Sequence, residues 1–168
     1  MEDPNWEVFC ADEVRMVLEA LTRKAWLKRG EKTVLKVERS NEYQNYLGFL
    51  NQKTGKCHVL EIVWGKTNEI VRATGDFLKL YPDKKMCVIW DNAKCHQGQL
   101  MREALAKGGL LERVHLVALP AYAPDCNSIE HVWNTAKGCL ANNQDASFEV
   151  TKQKFLALTN NKFFNYQI

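Results

Sequence analysis

Carboxylates stand at three points where this sequence changes from one kind of element to another. Asp12 and Glu13 follow the mostly apolar run Trp6-Glu7-Val8-Phe9-Cys10-Ala11. Asp91 follows Met86-Cys87-Val88-Ile89-Trp90 and opens Asp91-Asn92-Ala93. Glu130 closes Pro124-Asp125-Cys126-Asn127-Ser128-Ile129-Glu130, where a helix begins. Rigid elements end at such edges and solvent reaches in, so functional groups gather there. Hard divalent cations such as Mg²⁺ take oxygen ligands and keep several waters, so a few carboxylates hold them. Two such ions about 3.5–4 Å apart can activate a water or hydroxyl, neutralise charge at phosphorus and assist the leaving oxygen of a phosphodiester. Acids drawn together from distant positions are what a site of that kind needs.

Each acid also has a plainer explanation. Asp91 followed by Asn92 is a common start of an Asx turn, although the carboxyl end of a central strand is also where α/β sheets place ligands. With Asn127 as N-cap, Glu130 falls at the third helical position and completes a capping-box pattern. Helical spacing sets Glu130, Asn134 and Lys137 on one polar face, which puts an ammonium near the acid, suited to a phosphate or simply exposed. Asp12 and Glu13 are adjacent in a strand, so only one of them points toward the site. His96 and His131 each neighbour a candidate acid and suit either a structural role or contact with DNA or a proton. His58 and His115 lie within strands and read as structural. Asn92 and Asn127 are candidates for holding the acids and their loops in place.

The elements that must position these groups follow from periodicity. Strands are expected at 6–11, Thr33–Val37, Tyr43–Asn51 and Cys57–Trp64, the last two joined by the turn Gln52-Lys53-Thr54-Gly55-Lys56 and so antiparallel. Ile70, Ala73, Thr74, Phe77, Leu78 and Tyr81 mark an amphipathic helix stopped by Pro82. Met86–Trp90 and Val114–Leu119 are continuous apolar runs, as expected of strands covered on both faces. Leu100, Met101, Ala104 and Leu105 mark a helix ended by Gly108-Gly109. A helix from Ser128 to about Ala141 packs Ile129, Val132, Trp133, Ala136 and Leu140 inward, and a last helix spans Phe148–Leu158. Antiparallel strands followed by alternating helices and strands give an α/β mixed sheet, antiparallel first and then parallel, with helices on both faces. This is the order of the ribonuclease-H-like fold.

The 168 residues, 46% of them hydrophobic, fit one domain with a substantial core. No apolar run approaches the ~20 residues of a membrane span, and Met1–Trp6 reads as neither signal nor transit peptide, so a cytoplasmic location is expected. Six cysteines at 10, 57, 87, 95, 126 and 139 show no C-x-x-C pair and read as reduced thiols, Cys10, Cys57, Cys87 and Cys139 within buried segments. Cys95-His96 with Cys126 makes at most part of a zinc site. The net charge of +3 conceals a local excess: residues 14–39 hold eight bases against three acids. Beside a candidate cleavage site, a segment containing Trp26, Lys28 and Arg29 suits a phosphate backbone, with the ring free to stack.

The run Ala121-Tyr122-Ala123-Pro124-Asp125-Cys126-Asn127-Ser128-Ile129-Glu130-His131-Val132-Trp133-Asn134 resembles the proline-, asparagine- and glutamate-containing block of the DDE transposases, and most strongly the bacterial insertion-sequence branch of the mariner-like superfamily. Asp91-Asn92-Ala93-Lys94-Cys95-His96 resembles that family's second acid with its following histidine. The likeness runs from Trp6 to about Lys137. It implies a ribonuclease-H-like catalytic domain in which Asp12, Asp91 and Glu130 hold Mg²⁺ or Mn²⁺, two ions being expected. The first acid is Asp12 because the family carries it in an Asp-Glu pair; Glu13 is then outward or supporting. The implied reaction is DNA strand cleavage followed by 3′-hydroxyl strand transfer at transposon ends and target. The implied assembly is a homodimer.

The family's helix-turn-helix region has no counterpart before Trp6, so residues 1–168 read as the catalytic domain alone, its DNA-reading part a separate partner or fused reading frame. The alternative is a non-catalytic fragment that binds DNA or intact transposase as an inhibitor. A cellular ribonuclease H shares fold and metals, but its acidic quartet is not evident. Three departures from the family pattern stand out. Ser128 replaces the usual proline, Val14-Arg15-Met16-Val17 lacks the expected small residues, and 38 residues separate Asp91 from Glu130, a few more than usual. The extra length is assigned to Lys107–Glu112.

Overall fold

The computed structural model describes residues 4–18, 22–24, 26, 28–30, 34, 41–63, 66–120, 126–143 and 145–166. Ten elements follow in chain order: β1 (Trp6–Val17), β2 (Tyr43–Asn51), β3 (Cys57–Ile62), α1 (Thr67–Leu78), β4 (Lys85–Trp90), α2 (Lys94–Gln97), α3 (Gln99–Leu105), β5 (Val114–Ala118), α4 (Ile129–Leu140) and α5 (Phe148–Thr159). The strand expected at Thr33–Val37 lies outside the described residues apart from Val34.

The five strands form one sheet in the order β3-β2-β1-β4-β5. β2 runs antiparallel to both β1 and β3, while β4 is parallel to β1 and β5 to β4. Only β2 therefore runs against the rest, which is the ribonuclease-H-like arrangement expected from the element order. Alternation along each strand divides the core in two. On one face Phe9, Ala11, Leu47, Phe49, Met86, Val88 and Trp90 meet Ile70, Ala73 and Phe77 of α1 and Met101 of α3. On the other, Cys10, Val14, Met16, Tyr46 and Leu50 meet Ile129, Val132, Trp133 and Ala136 of α4 and Phe155 of α5. Among the described residues no helix is long and apolar enough to cross a membrane.

The structure departs from the expected elements in four places. β1 continues through Val17 instead of ending at Ala11, because Val14 and Met16 keep the period-two pattern and stay buried. β5 is an edge strand with only Val114 buried, since the sheet ends there and one side has no neighbour. The four-residue α2 has too little length for periodicity to show. Cys139 is exposed instead of packed.

Candidate active site

Asp12 and Glu13 occupy the middle of β1, and each finds its own face of the sheet. Asp12 shares a face with Cys10 and Val14, where its Oδ2 accepts a 3.0 Å hydrogen bond from Trp133 Nε1 of α4. Glu13 points to the opposite face and meets His96 Nε2 at 2.8 Å through Oε1. The β1–β4 register ends at Cys10↔Ile89. Two residues further along both strands, Asp12 stands level with Asp91.

Helix α4 arrives over this point because of two contacts with the sheet. Asn127 Nδ2 donates to Ala11 O at 3.0 Å, fixing the start of the helix beside Asp12. Gly48, the β2 partner of Asp12, has no side chain, so the Trp133 ring lies directly on the strand. The capping box that was the plainer explanation of Glu130 does not form. Ser128 is the N-cap, without a side-chain cap bond, and Asn127 is turned to β1. Gln52 Nε2 donates to Ser128 Oγ at 2.8 Å. Glu130 thus keeps its carboxylate free of hydrogen bonds and ion pairs among the described residues, in the first turn of α4.

The electrostatics follow from this crowding. Burial, then the charges of Glu130 and Glu13, push the Asp12 carboxyl up to about 8, against a smaller opposing effect of the Trp133 hydrogen bond. Asp91 is exposed, and its Oδ1 accepts from Ala93 N at 3.0 Å, the Asx turn suggested by Asp91-Asn92. The same Oδ1 lies 3.0 Å from His96 Nδ1. Burial alone would lower the His96 pKa, but hydrogen bonds and charge from Glu13 and Asp91 prevail and raise it. The His96 ring is buried, its centre 4.1 Å from that of Trp90 with the planes tilted by 37°, and it faces two acids.

As placed, Asp12, Asp91 and Glu130 do not bring their oxygens within the 4.8 Å at which a single ion is shared. Among the described residues, the trio that does is Glu13, Cys95 and His96. Cys126 stands outside it. Asn92 Nδ2 donates to Leu119 O and ties the loop after β4 to the end of β5. The connection at 106–113 reaches β5 at its first residue, the opposite end of the parallel strands from Asp91, so extra length there leaves the acids undisturbed.

The remaining sequence candidates lie around α4. Lys137 is half-buried in its last turn. His131 is exposed and packs on Tyr166, ring centres 5.2 Å apart. Arg23 donates from Nη1 to Asn134 O at 3.4 Å and from its backbone N–H to Asn142 Oδ1 at 2.9 Å, which seats Arg23 against α4 and the turn after it. Trp26 is fully exposed, and Lys28 and Arg29 are exposed beside it. Of the two places the sequence left open for Glu13, outward or supporting, the structure gives the supporting one; the alternation of Val14 and Met16 carries the strand past both acids.

A sequence model of the DDE superfamily endonucleases matches residues 7–151, and the chain belongs to that family. No curated protein matches it significantly. Its fold is similar to that of the Mos1 strand transfer complex, with a TM-score of 0.67 and 15% identity over 93% of this chain and 48% of that one. The Mos1 mariner paired end complex with Mn is similar to the same degree, TM-score 0.67 and 15% identity over 93% and 48%. The HTLV-2 integrase catalytic core domain, solved with magnesium in a dimeric form, gives a TM-score of 0.53 and 10% identity over 98% of this chain and 92% of that one. The chain thus spans about half the length of the Mos1 chains it resembles and nearly all of an integrase catalytic core.

Proposed function

We propose that this chain is a DNA strand-cleaving and strand-transferring catalytic domain whose divalent cations are held by Asp12, Asp91 and Glu130. The observation that carries this reading is the crowding of Asp12 and Glu130 beside the end of β4. Two acids face each other in a half-buried setting, and the Asp12 carboxyl is pushed up to about 8. The donors are all carboxylate oxygens, which suit Mg²⁺ or Mn²⁺. Because the three acids do not converge on one point, they fit two ions better than one. When bound, such ions supply an activated water or hydroxyl and charge neutralisation at phosphorus.

The chain's own residues do the positioning. Trp133 holds one oxygen of Asp12 and leaves the other directed away from the indole. Asn127 anchors the start of α4 so that Glu130 faces β1. His96 and the Ala93 N–H fix the rotamer of Asp91. Lys137, Arg23, Lys28 and Arg29 supply positive charge along and beside α4 for a phosphate backbone, and Trp26 offers a stacking surface. The substrate is DNA, transposon ends and a target, and the working assembly is a homodimer. The paired-end and dimeric forms of the structural neighbours support this arrangement.

A second reading, a non-catalytic domain that binds DNA or a full-length transposase, is favoured by one feature only: as placed, Asp12, Asp91 and Glu130 do not converge on a single-ion position. A nicking assay separates the two. Supercoiled plasmid with Mn²⁺ is expected to be relaxed by the wild type, and Glu130→Gln is expected to abolish it. DNA binding without nicking by the wild type would establish the second reading.

A further inference from the structure

Behind Asp12, on the opposite face of β1, Glu13, Cys95 and His96 bring one ligand atom each to within 4.8 Å of the others. The donors are a carboxylate oxygen, a sulfur and an imidazole nitrogen. That set is softer than the all-oxygen group across the sheet and suits Zn²⁺ or Co²⁺ better than Mg²⁺. The elements hold it firmly. Glu13 is fixed in the middle of β1, paired to Leu47 of β2. Cys95 and His96 are consecutive in α2, with His96 buried under Trp90 and Cys95 packed against the core.

The orientation of His96 adds a second, independent argument. Its Nε2 faces Glu13 at 2.8 Å, while its Nδ1 faces Asp91 Oδ1 at 3.0 Å and Asp91 O at 3.3 Å. A histidine that ligates a metal through one nitrogen characteristically donates its other N–H to a carboxylate, a backbone carbonyl or water, which fixes the tautomer and the ring. The backbone carbonyl of Asp91 already accepts that bond, with the Asp91 carboxylate 3.0 Å away as a charged neighbour. The Glu13–His96 hydrogen bond accounts for two members of the group without an ion, but it leaves the sulfur of Cys95 unexplained as the third.

We propose that Glu13, Cys95 and His96 form a second metal site, for a borderline-soft divalent cation of the Zn²⁺ class, on the face of β1 opposite Asp12 and adjoining Asp91. Binding displaces the thiol proton of Cys95 and leaves His96 Nε2 unprotonated on the ion, with Nδ1–H retained on Asp91. Because that imidazole lies 3.0 Å from a carboxylate that the proposed cleavage site uses, an ion held here stands next to that site and is a means of regulating it. The fourth position of a tetrahedral ion is left for water.

Titration of the whole chain with Co²⁺ tests the site. Thiolate ligation gives a near-ultraviolet charge-transfer band, whereas Co²⁺ on carboxylates and waters gives none, so the two sites are read separately. The wild type is expected to develop the band at one equivalent, and Zn²⁺ is expected to remove it. Cys95→Ser is expected to lose the band, and Asp12→Asn, on the other face, to keep it. Glu13→Gln, which preserves the hydrogen bond to His96, is expected to shift the titration to higher Co²⁺. Absence of the band in the wild type, or its survival in Cys95→Ser through another thiol such as exposed Cys126 or Cys139, would overturn the assignment.

Discussion

Asp12 carries the greatest electrostatic load in the metal-free molecule. Burial, Glu130 and Glu13 hold its carboxyl at about 8, well above the ordinary carboxylate value, so the folded chain binds this proton more tightly than the unfolded chain. Between the ordinary value and about 8 the folded state keeps the proton and the unfolded state releases it; stability accordingly falls as pH rises through that window. Asparagine at this position removes the charge and still accepts from Trp133. Asp12→Asn is therefore expected to raise the urea midpoint of the metal-free protein at about pH 8.5 by much more than at about pH 4, since each pKa unit is worth about 1.4 kcal/mol. Equal shifts at both pH values would show that the acids do not repel one another as placed. At this scale the sequence was only half legible. It offered Asp12 and Glu13 as alternatives, one inward and one outward. Both turn inward, to opposite faces, because Trp133 and His96 supply a partner on each side.

Helix α4 is the element that makes the site, and its seat is one glycine wide. A Cβ at Gly48 would come within 2.4 Å of Trp133 and 2.9 Å of Ile129 Cδ1, so Gly48→Ala must push the helix off β2. Overpacking of this kind costs about 1–3 kcal/mol. Because Trp133 and Glu130 travel with the helix, Mn²⁺ affinity is expected to fall along with stability. Gly98→Ala, where a Cβ meets nothing within 4 Å, is the control and is expected to leave both unchanged. A loss of stability in Gly48→Ala with unaltered Mn²⁺ affinity would detach the helix position from the site. Elements with long periodicity were legible in the sequence, α4 and α5 nearly to the residue and α1 to within three residues at each end. The boundary of β1 was not, because an acid pair looks like the end of a strand until its partners on both faces are known. The apolar run of β5 gave no sign that it forms the edge, since hydrophobicity alone does not reveal how many neighbours a strand has.

At the scale of the molecule, the acids belong to three elements that only the finished sheet brings together. Asp12 comes from β1, Asp91 from the end of the parallel strand β4, and Glu130 from a helix packed across them. Element order already indicated the mixed sheet, and family membership over residues 7–151 agrees with it. The spacing of the acids in space was not legible, because it depends on the hold of His96 on Asp91, a contact between α2 and the end of β4 that no periodicity encodes. Arg23 likewise meets α4 in a way that charge counting does not show. The most direct measurement is a calorimetric titration of the metal-free chain with Mn²⁺, repeated on Asp91→Asn and Glu130→Gln. The account predicts binding to the wild type that is lost or greatly weakened in both variants. Equal binding in all three proteins, or none in the wild type, would contradict it.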